Sequence, residues 1–512
     1  MHMFNKRRLK RCLFWAGSAA AIVALLAAGV VTWLYSQASY SNVGELTFVN
    51  RLAIPELLDP VTDERGRKVF DLTFTAGEAE LLPGKRSATW GLNGPYLSPT
   101  LRASRGDEVV VNVTNAVDEP TSLHWHGMHL PAAMDGGPHQ VIRPGETWSP
   151  AWTINQPAAS LWFHPHLHES TADHVYRGAA GMFLLDDEDA AGLDIPGAYG
   201  LDDVPLIIQD KRFNSDGSLN MRQPVFSEVG ILGDEILVNG THDPYFEATT
   251  SLVRFRVLNA SNARIYNLGF SDDREFSLIA TDSGLLEAAV VMNRIQLSPG
   301  ERAEIVVNVE EGDDVVFRSF ESDLELDFWT ERMAGGHDTF DVLSIRAADQ
   351  LTPSPPLPDA LVSMDRPVEA DAARTRTFEL NGHSLINGQQ MDMTRVDAAV
   401  EAGDVEIWEV QNSSGIIHNF HVHLVHFALL DIDGEEPPPH LRGWKDTVFI
   451  PRGSTVRFIS RFDGEADPLV PFMFHCHILM HEDSGMMGQF VVTEPGTSPP
   501  DAILDVDAGH RQ

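Results

Sequence analysis

The sequence predicts an all-β protein of three consecutive sandwich-like domains that follow an N-terminal hydrophobic helix. Short runs of β-branched and aromatic residues alternate with Gly, Pro, Asn and Asp, and helical periodicity is nearly absent outside the leader. A set of short motifs also recurs three times in the same order. A chain of 512 residues has the length for about three domains.

The first 38 residues are interpreted as a signal peptide or a membrane anchor. A basic segment ends at Arg11, and an apolar run covers residues 12–35. This run is longer than an ordinary signal core and suits a membrane-spanning helix, whereas Ser36-Gln37-Ala38 offers a small-residue cleavage site. Both outcomes place the remaining chain in the periplasm or on the extracellular face of the envelope, and the anchor would also tether it to the cytoplasmic membrane.

The composition is strongly acidic, with 74 Asp and Glu against 37 Lys and Arg. Such a surface repels phosphate backbones, so nucleic acid is excluded as a partner. The chain has two cysteines, Cys12 in the leader and Cys476 near the C-terminus. A chain trimmed of its leader keeps one thiol and forms no internal disulfide, so a metal explains Cys476 better than a structural bridge does.

The threefold repeat defines the expected domains. A strand-like stretch that begins near Gly106 is echoed near Gly403 and, more faintly, from Leu252. Each copy is preceded by an Asn-Gly turn and followed by a turn with Pro and Gly. The Asn-Gly turns are at Asn93, Asn239 and Asn387, and the later turns begin at Pro144, Pro299 and Pro451. The predicted domains cover residues 43–190, 204–348 and 366–495, and residues 496–512 form a tail.

Four His-x-His pairs are the candidate ligands of a metal cluster. The pairs are His124 and His126, His164 and His166, His421 and His423, and His475 and His477. Side chains two residues apart on an extended strand share one face, so each pair presents two imidazoles together. One metal ion rarely takes more than four imidazoles, and eight therefore indicate several ions. The pairs belong to the first and third copies of the repeat, which must face each other, and the middle copy is expected to be a spacer.

Cys476 indicates a second site that holds one metal ion. On an extended strand it points away from His475 and His477, and His481 and Met486 follow it in sequence. With His418, these residues supply the thiolate, imidazole and thioether ligands of an electron-transfer copper centre. Its backbone continues into two histidines of the cluster and gives electrons a covalent route. Zinc does not explain this combination, because structural zinc prefers Cys-rich sites and catalytic zinc takes three protein ligands.

The motifs resemble those of the three-domain multicopper oxidases from about Leu46 to Pro495. The resemblance implies three cupredoxin-like Greek-key β-sandwich domains and four copper ions. It also implies that a reducing substrate gives single electrons to a type 1 copper, and that four electrons reduce dioxygen to two waters at a trinuclear cluster. The type 1 ligands would be His418, Cys476, His481 and Met486, the type 2 ligands His124 and His421, and the ligands of the type 3 pair His126, His164, His166, His423, His475 and His477.

Two carboxylates are candidates for a catalytic role, because the reduction of dioxygen consumes protons. Asp135, in Met134-Asp135-Gly136, matches a position similar to the proton-relay acid of the family. Glu482 stands beside the copper ligand His481. Each could instead be an ordinary turn or surface carboxylate.

The third-domain motifs are most similar to those of bilirubin oxidases and the bacterial spore-coat type of laccase. The similarity lies in residues 421–427, 443–448, 473–477 and 481–483. Periplasmic cuprous oxidases also share the Asp135 turn, but they carry a methionine-rich insert before the third domain. In this chain the corresponding residues 318–361 contain one methionine, Met333. Because Cu(I) needs soft sulfur ligands, the expected donor is a small organic reductant: a phenol, an aromatic amine or a tetrapyrrole.

Two alternatives to an oxidase of organic donors remain open. A cuprous oxidase would act in copper detoxification and use Cu(I) as the donor. A copper-sequestering or scaffold protein of the envelope would keep the fold without the reaction, although the presence of all twelve ligands counts against it.

Overall fold

The computed structural model describes residues 3–223, 227–499 and 503 of the chain. In this part of the chain most strands pair into six sheets, two from each third of the sequence, and helices are short apart from the first. The all-β prediction is therefore confirmed. Residues 500–502 and 504–512 of the expected tail lie outside the described residues.

The N-terminal helix α1 (Met3–Gln37) confirms the predicted hydrophobic helix. Its segment Lys10–Ser36 is long and apolar enough to cross a membrane, and its most apolar window is not buried against the rest of the protein. A strand β1 (Asn50–Arg51) follows the helix.

The first pair of sheets carries two of the four His-x-His pairs. Its elements are β2 (Val61–Thr62), β3 (Lys68–Leu82), β4 (Lys85–Leu92), β5 (Leu101–Ser104), β6 (Glu108–Asn115), β7 (His124–His126), β8 (Thr147–Trp148), β9 (Ala151–Thr153), β10 (Ala159–His164), α2 (Thr171–Tyr176), β11 (Gly181–Asp186) and α3 (Glu188–Ala191), with a 3-10 turn at Ala132–Met134. One sheet has the order β2-β3-β6-β8, with β4 on β3 and β9 on β6, and the other has the order β5-β11-β10-β7.

The middle pair of sheets contains no His-x-His pair. Its elements are β12 (Asp203–Lys211), β13 (Glu235–Val238), β14 (Thr241–His242), β15 (Pro244–Thr250), β16 (Leu252–Asn259), β17 (Tyr266–Phe270), β18 (Phe276–Thr281), β19 (Gly284–Met292), β20 (Arg294–Leu297), β21 (Arg302–Asn308), β22 (Asp314–Phe320), α4 (Phe328–Met333) and β23 (Phe340–Thr352). The sheet orders are β1-β15-β23-β22-β17-β20 and β14-β13-β12-β16-β21-β18-β19. Strand β1 thus pairs with the middle sheets, although residues 43–190 were expected to form the first domain.

The third pair of sheets carries the other two His-x-His pairs. Its elements are β24 (Arg374–Asn381), β25 (Leu385–Ile386), β26 (Ala398–Glu401), β27 (Val405–Asn412), β28 (His418–Val422), β29 (Phe427–Ile432), β30 (Thr447–Ile450), β31 (Thr455–Arg461), β32 (Asp467–His475), α5 (Leu479–Asp483) and β33 (Met487–Thr493), with 3-10 turns at Glu369–Asp371 and Pro439–Leu441. The sheet orders are β25-β24-β27-β31-β29 and β26-β33-β32-β28-β30.

The three Asn-Gly turns have the same local structure. Asn93, Asn239 and Asn387 have left-handed φ angles of 58°, 51° and 54°. Their side-chain oxygens accept hydrogen bonds from the backbone N–H groups of Thr73, Ile207 and Glu379, each at 2.8 Å. Asparagine is one of the few residues that adopt this conformation readily, and its amide can replace a backbone partner. The sequence repeat is therefore also a structural repeat.

The first and third pairs of sheets share one hydrophobic core. Trp125 and Phe163 from the first pair belong to the same buried cluster as Phe420 and Phe474 from the third. Most of the middle pair forms a separate cluster. The two histidine-bearing units are therefore packed against each other, as the distribution of the motifs predicts.

Candidate metal centre

Two pairs of neighbouring strands bring the histidines together. In the first pair of sheets β7 and β10 are antiparallel, and His124 lies opposite His164. In the third pair β28 and β32 are antiparallel, and His421 lies opposite His475. Cross-strand neighbours on one face lie about 5 Å apart, which is suitable for shared ligation.

The expectation that each His-x-His pair lies within one strand is wrong for three of the four pairs. Strand β10 ends at His164, β28 at Val422 and β32 at His475. Pro165 has no N–H group with which to extend β10, and Leu424 has a left-handed φ of 73° just after His423. The second histidine of each of these pairs therefore lies just beyond the end of its strand, where the backbone turns toward the cluster.

All eight histidines are buried and meet between the first and third pairs of sheets. They form three groups of three whose ligand atoms lie within 4.8 Å of one another, and each group combines residues from the two pairs of sheets. The groups are His124, His421 and His423; His126, His164 and His477; and His166, His423 and His475. Two rings also stack across the cluster, His124 on His423 at 3.8 Å and His421 on His126 at 3.7 Å between ring centroids.

The donor atoms of this cluster fit metal ions. The Nε2 atoms of His124, His164 and His421 are buried and have no hydrogen-bond partner in the described part of the chain. Nε2 of His475 lies 3.1 Å from Nε2 of His166 and 3.3 Å from Nε2 of His423. Since buried polar atoms are normally bonded, converging unpaired nitrogens indicate ligands for cations.

Hydrogen bonds on the far side of three rings fix their orientation. Nδ1 of His124 lies 3.0 Å from the carbonyl oxygen of Asp135, and Nδ1 of His421 lies 2.8 Å from that of Asp446. Nδ1 of His164 is 2.9 Å from the carbonyl oxygen of Pro165. A carbonyl can only accept, so Nδ1 carries the proton and Nε2 keeps a free lone pair for a metal.

Burial favours the uncharged form of five histidines of the cluster. Desolvation lowers the pKa of His126, His164 and His166 well below the usual value of histidine, and neighbouring histidines lower it further. Desolvation, and secondly the neighbouring histidines, also lowers the pKa of His421 and of His423. Neutral imidazole is the form that binds metal, so the site is prepared for ligation.

The two predicted acids contact histidines of the cluster. Oδ2 of Asp135 lies 2.7 Å from Nδ1 of His423. The carboxylate of Glu482 lies between two rings, 3.3 Å from Nδ1 of His166 and 3.2 Å from Nδ1 of His475. Both carboxylates are buried, so neither is an ordinary surface acid.

Cys476 forms a second group with His418 and His481, and all three are buried. Sγ of Cys476 is 3.5 Å from Nδ1 of His418 and 3.7 Å from Nδ1 of His481. Met486 is also buried, and its carbonyl oxygen accepts a hydrogen bond from the backbone N–H of Cys476 at 3.1 Å. Burial raises the pKa of the Cys476 thiol to about 12, whereas a bound cation would favour the thiolate.

His383 lies next to this site, although it falls outside the sequence pattern. Its ring stacks on that of His481 with 5.7 Å between the centroids. The sequence offered no signal for this contact, because His383 belongs to no motif and lies almost 100 residues from His481.

Asp446, to which the sequence pattern assigned no role, contacts both halves of the cluster. Its Oδ1 is 3.0 Å from Nε2 of His126 and 3.7 Å from Nδ1 of His421. Arg302 of β21 binds both carboxylate oxygens, at 2.7 and 2.6 Å. The Gly443-Trp444-Lys445-Asp446 motif marked this stretch, but no role followed from it.

The middle pair of sheets is therefore more than a spacer, and that expectation is wrong. Besides Arg302, it supplies the carbonyl oxygen of Glu228, which lies 2.9 Å from Nε2 of His481. A Cβ added at Gly300, whose φ is 85°, would lie 3.1 Å from the ring of His477. The middle pair thus supports and closely confines ligands that the outer pairs provide.

The fold and the two buried groups define a copper protein with one thiolate site joined to a histidine cluster. Two family models described as multicopper oxidase match residues 73–190 and 355–496. The chain belongs to the multicopper oxidase family, whose members bind copper. Its cupredoxin-like sandwich fold is confirmed by the similar solved structures.

Three similar proteins illustrate the range of this family. The cell division protein FtsP of Yersinia pestis is 36% identical over 455 residues, which cover 87% of this chain and 93% of that protein. The multicopper oxidase mco of Staphylococcus aureus is 34% identical over 449 residues and has the same coverage, 87% and 93%. The laccase-like multicopper oxidase of the lignin-degrading bacterium Ochrobactrum sp. has a TM-score of 0.79 and 35% identity, covering 86% of this chain and all of that one.

Proposed function

We propose that this chain is an exported oxidase that couples the one-electron oxidation of a small organic donor to the four-electron reduction of dioxygen to water. The observation that carries the proposal is the position of Cys476. It forms one buried site with His418 and His481, and its sequence neighbours His475 and His477 belong to the histidine cluster. One short stretch of backbone thus links the two sites.

The chain offers ligands for four copper ions. His418, Cys476, His481 and Met486 would hold a type 1 copper, His124 and His421 a type 2 copper, and His126, His164, His166, His423, His475 and His477 a type 3 pair. When bound, copper at these sites supplies reversible one-electron chemistry and binds dioxygen.

The protein itself would contribute orientation, exclusion of water and protons. The carbonyl acceptors fix the imidazoles, and burial between two pairs of sheets keeps bulk water away from the cluster. Asp135 and Glu482 touch ligating imidazoles at Nδ1, where a carboxylate can hold a proton and pass it inward.

An organic donor is supported by the chain and by one relative. Residues 318–361 carry a single methionine, Met333, which is too few sulfur ligands for a dedicated Cu(I) site. The Ochrobactrum protein is described as having oxidase activity towards lignin model compounds and lignosulfonate. We therefore favour a phenol, an aromatic amine or a tetrapyrrole over Cu(I).

The test is oxygen uptake by the copper-loaded full chain in detergent, with a simple phenol, bilirubin or Cu(I) as donor. We expect a blue protein with about four coppers and faster uptake with an organic donor. Cys476→Ser should remove the blue colour and lower uptake by at least about 100-fold, since it removes the ligand that joins the two sites. Cys12→Ser, at the exposed cysteine of α1, is the matched control and should change neither.

Three results would contradict this proposal. Oxygen uptake with Cu(I) but with neither organic donor would assign the chain to copper detoxification. Copper binding without oxygen uptake from any donor would assign it to copper sequestration. An uptake rate that survives Cys476→Ser would show that the two sites do not work together.

A structural role in cell division is the second candidate function. The similarity to a protein named for cell division favours it, and so does helix α1, which can place the chain at the cytoplasmic membrane. Cells from which this protein has been deleted can be complemented with the unaltered chain or with Cys476→Ser. If both forms restore division equally well, division does not depend on the oxidase activity.

A further inference from the structure

Helix α1 ends in contact with helix α4 (Phe328–Met333). The ring of Tyr35 stacks on Phe328 at 4.9 Å and lies 5.5 Å from the ring of Trp329, both in helix α4. Arg332 of α4 donates a hydrogen bond to the carbonyl oxygen of Tyr35 at 2.6 Å, and its guanidinium lies 4.3 Å above the Tyr35 ring. Stacking, cation–π contact and hydrogen bond act on the same residue, so this end of α1 has a defined contact with α4.

The chain that follows α1 is too short to let the protein move far from the membrane. Helix α1 ends at Gln37, and the N–H of Tyr40 already donates to Asp338 at 2.7 Å. Three residues span at most about 10 Å. Asp338 lies five residues after the end of α4, so α4 stays close to the end of α1.

The side chains around this contact suit a membrane surface. Tyr35 lies at the end of the apolar segment Lys10–Ser36, where aromatic residues are enriched in membrane helices. Phe328 is 71% exposed, although it is a large apolar residue. An exposed aromatic beside a membrane helix is explained if it lies at the lipid boundary.

Under α4 lies a cavity of about 120 Å³. Its lining is mainly apolar and includes Trp329, Met333, Val229 and Ile416. Glu228 also lines it, and the carbonyl oxygen of Glu228 is the hydrogen-bond partner of His481. Trp329 therefore contacts helix α1 and also lines a cavity whose wall includes Glu228, the hydrogen-bond partner of the candidate copper ligand His481.

The cavity restricts the chemistry of its occupant. This cavity is smaller than the hydrophobic cavity of about 150 Å³ that accepts one benzene ring, so it takes at most one small ring and excludes a tetrapyrrole. Among the described residues, the lining includes no Lys or Arg that would attract an anion. The hydroxyl of Thr330 and the carbonyl oxygen of Glu228 could accept hydrogen bonds from hydroxyl groups of a neutral ring.

We infer that the electron donor is a single-ring hydroquinone dissolved in the membrane, which reaches the Cys476 site through the cavity under α4. This inference rests on the proposed oxidase function and on the retention of α1 in the mature chain. Two hydroquinones each lose two electrons and two protons and become quinones. One dioxygen takes up the four electrons and four protons and becomes two waters.

The experiment uses the copper-loaded full chain in phosphatidylcholine vesicles and measures oxygen uptake with three donors. The donors are unsubstituted hydroquinone, the same ring with one ten-carbon tail, and ferrocyanide, which stays in water. At equal total concentration we expect uptake with the tailed hydroquinone to be about tenfold faster than with the untailed one, because the membrane raises its concentration at the cavity.

Two substitutions and one control separate the cavity from simple partitioning. Trp329→Ala should lower the rate with tailed hydroquinone relative to ferrocyanide by about tenfold, since it removes the largest lining side chain. Tyr35→Ala should reduce the preference for the tailed donor. Arg294→Ala is the control. The guanidinium of Arg294 lies 3.6 Å from the centre of the Phe320 ring, so this substitution also removes an aromatic contact, but Arg294 does not line the cavity under α4. It should change no rate.

The outcomes distinguish the inference from the proposed function. Equal rates with both hydroquinones, with uptake from ferrocyanide intact, would overturn the membrane donor and leave the oxidase standing. A chain isolated from membranes that begins after Gln37 would also overturn the inference. Absence of uptake with every donor, by a copper-loaded chain, would overturn the oxidase itself and the inference with it.

Discussion

The outer two pairs of sheets and the middle pair share a repeat but contribute to the metal centre in different ways. After the equivalent strand, the first copy has His124-Trp125-His126 and the third has residues 418–423, whereas the middle copy continues Ala260-Ser261-Asn262. The outer pairs provide every candidate ligand. The middle pair provides a buried charge, Arg302, and close backbone contacts.

Arg302 shows what the middle pair adds. Its guanidinium binds Asp446 of the third pair and donates to the carbonyl oxygen of Ser160 in the first pair at 2.9 Å. Asp446 in turn contacts His126 and His421. One side chain therefore joins all three units behind the ligands. A repeat that has no histidines can still determine where the histidines of its neighbours lie.

The largest loss of stability is expected from Arg302→Met. The substitution leaves the carboxylate of Asp446 buried without its cation, which typically costs about 3–5 kcal/mol. We expect the free energy of unfolding of the copper-free full chain, measured with urea in detergent, to fall by about this amount. Copper content should also fall, because Asp446 supports two ligands of the cluster.

Arg274→Met is the matched control within the same pair of sheets. Arg274 also binds an aspartate through two nitrogens, Asp313 at 2.7 and 3.0 Å, but its side chain is 21% exposed. Exposed ion pairs contribute about 1 kcal/mol or less. If both substitutions cost the same, burial of the Arg302 pair is not what makes the middle pair important.

Acid should weaken the outer pairs through their buried histidines. Burial, and secondly the charge of Arg177, lowers the pKa of His174 in the first pair to about 4. The unfolded value is about 6.5, so the unfolded chain takes up the proton first, and stability falls as the pH drops from about 6.5 to about 4. The loss from one such residue is about 3 kcal/mol.

The comparison of His174→Gln with the unaltered chain tests this prediction. Urea unfolding of the copper-free chain at pH 6.5 and at pH 4 should show a smaller loss in the variant, by about 3 kcal/mol. His174→Gln is suitable for this test because His174 is not a candidate metal ligand. An equal loss in both chains would mean that other groups control the acid sensitivity.

The sequence predicted the parts of the site that follow a pattern. Four His-x-His pairs, a cysteine between two histidines and a threefold turn motif are regular enough to indicate the fold and the convergence of the first and third units. The exposed or buried state of Asp135 could not be read from the sequence, yet the family resemblance placed it correctly beside a histidine of the cluster.

Contacts between distant single residues escaped prediction. Arg302 and Asp446 are 144 residues apart, and each is one charged residue among many in an acidic chain. The carbonyl oxygen that binds His481 belongs to Glu228, 253 residues earlier, and a backbone carbonyl has no signature in sequence. The five-residue helix α5, which carries His481 and Glu482, is too short for a periodic pattern.

Asp135→Asn tests whether an outer-pair carboxylate serves the reaction itself. The amide oxygen of asparagine can still accept from Nδ1 of His423, but it cannot carry a proton at neutral pH. We expect copper content and blue colour to persist, and oxygen uptake to fall about 100-fold, a typical loss for a missing proton donor. The pH dependence of uptake should change as well.

Asp397→Asn is the control for this substitution. Asp397 accepts a hydrogen bond from the backbone N–H of Gln489 at 2.9 Å and belongs to the third pair of sheets, outside the histidine groups. It should leave the rate and its pH dependence unchanged. If Asp135→Asn instead removes copper, the carboxylate positions its histidine and does not supply protons.

The smallest effects should come from the Asn-Gly turns, where the three units are most alike. Asn239 is 7% exposed, whereas Asn93 and Asn387 are exposed. The amide of Asn239 also donates to the carbonyl oxygen of Ala53 at 2.9 Å, a contact between the segment after α1 and the middle pair. The same turn is thus more deeply embedded in the middle unit.

Alanine at these positions should therefore cost more in the middle than at either end. Each substitution places alanine, which lacks the amide that lets asparagine adopt the left-handed conformation readily, at a positive φ, at a cost of about 1 kcal/mol. Asn239→Ala also leaves the buried N–H of Ile207 unpaired, which adds about 1 kcal/mol or more. Urea unfolding should rank Asn239→Ala as the most destabilising of the three, and Asn239→Gly, which relieves only the backbone strain, should recover part of the loss. Equal losses at all three turns would mean that the middle unit depends on this turn no more than its neighbours do.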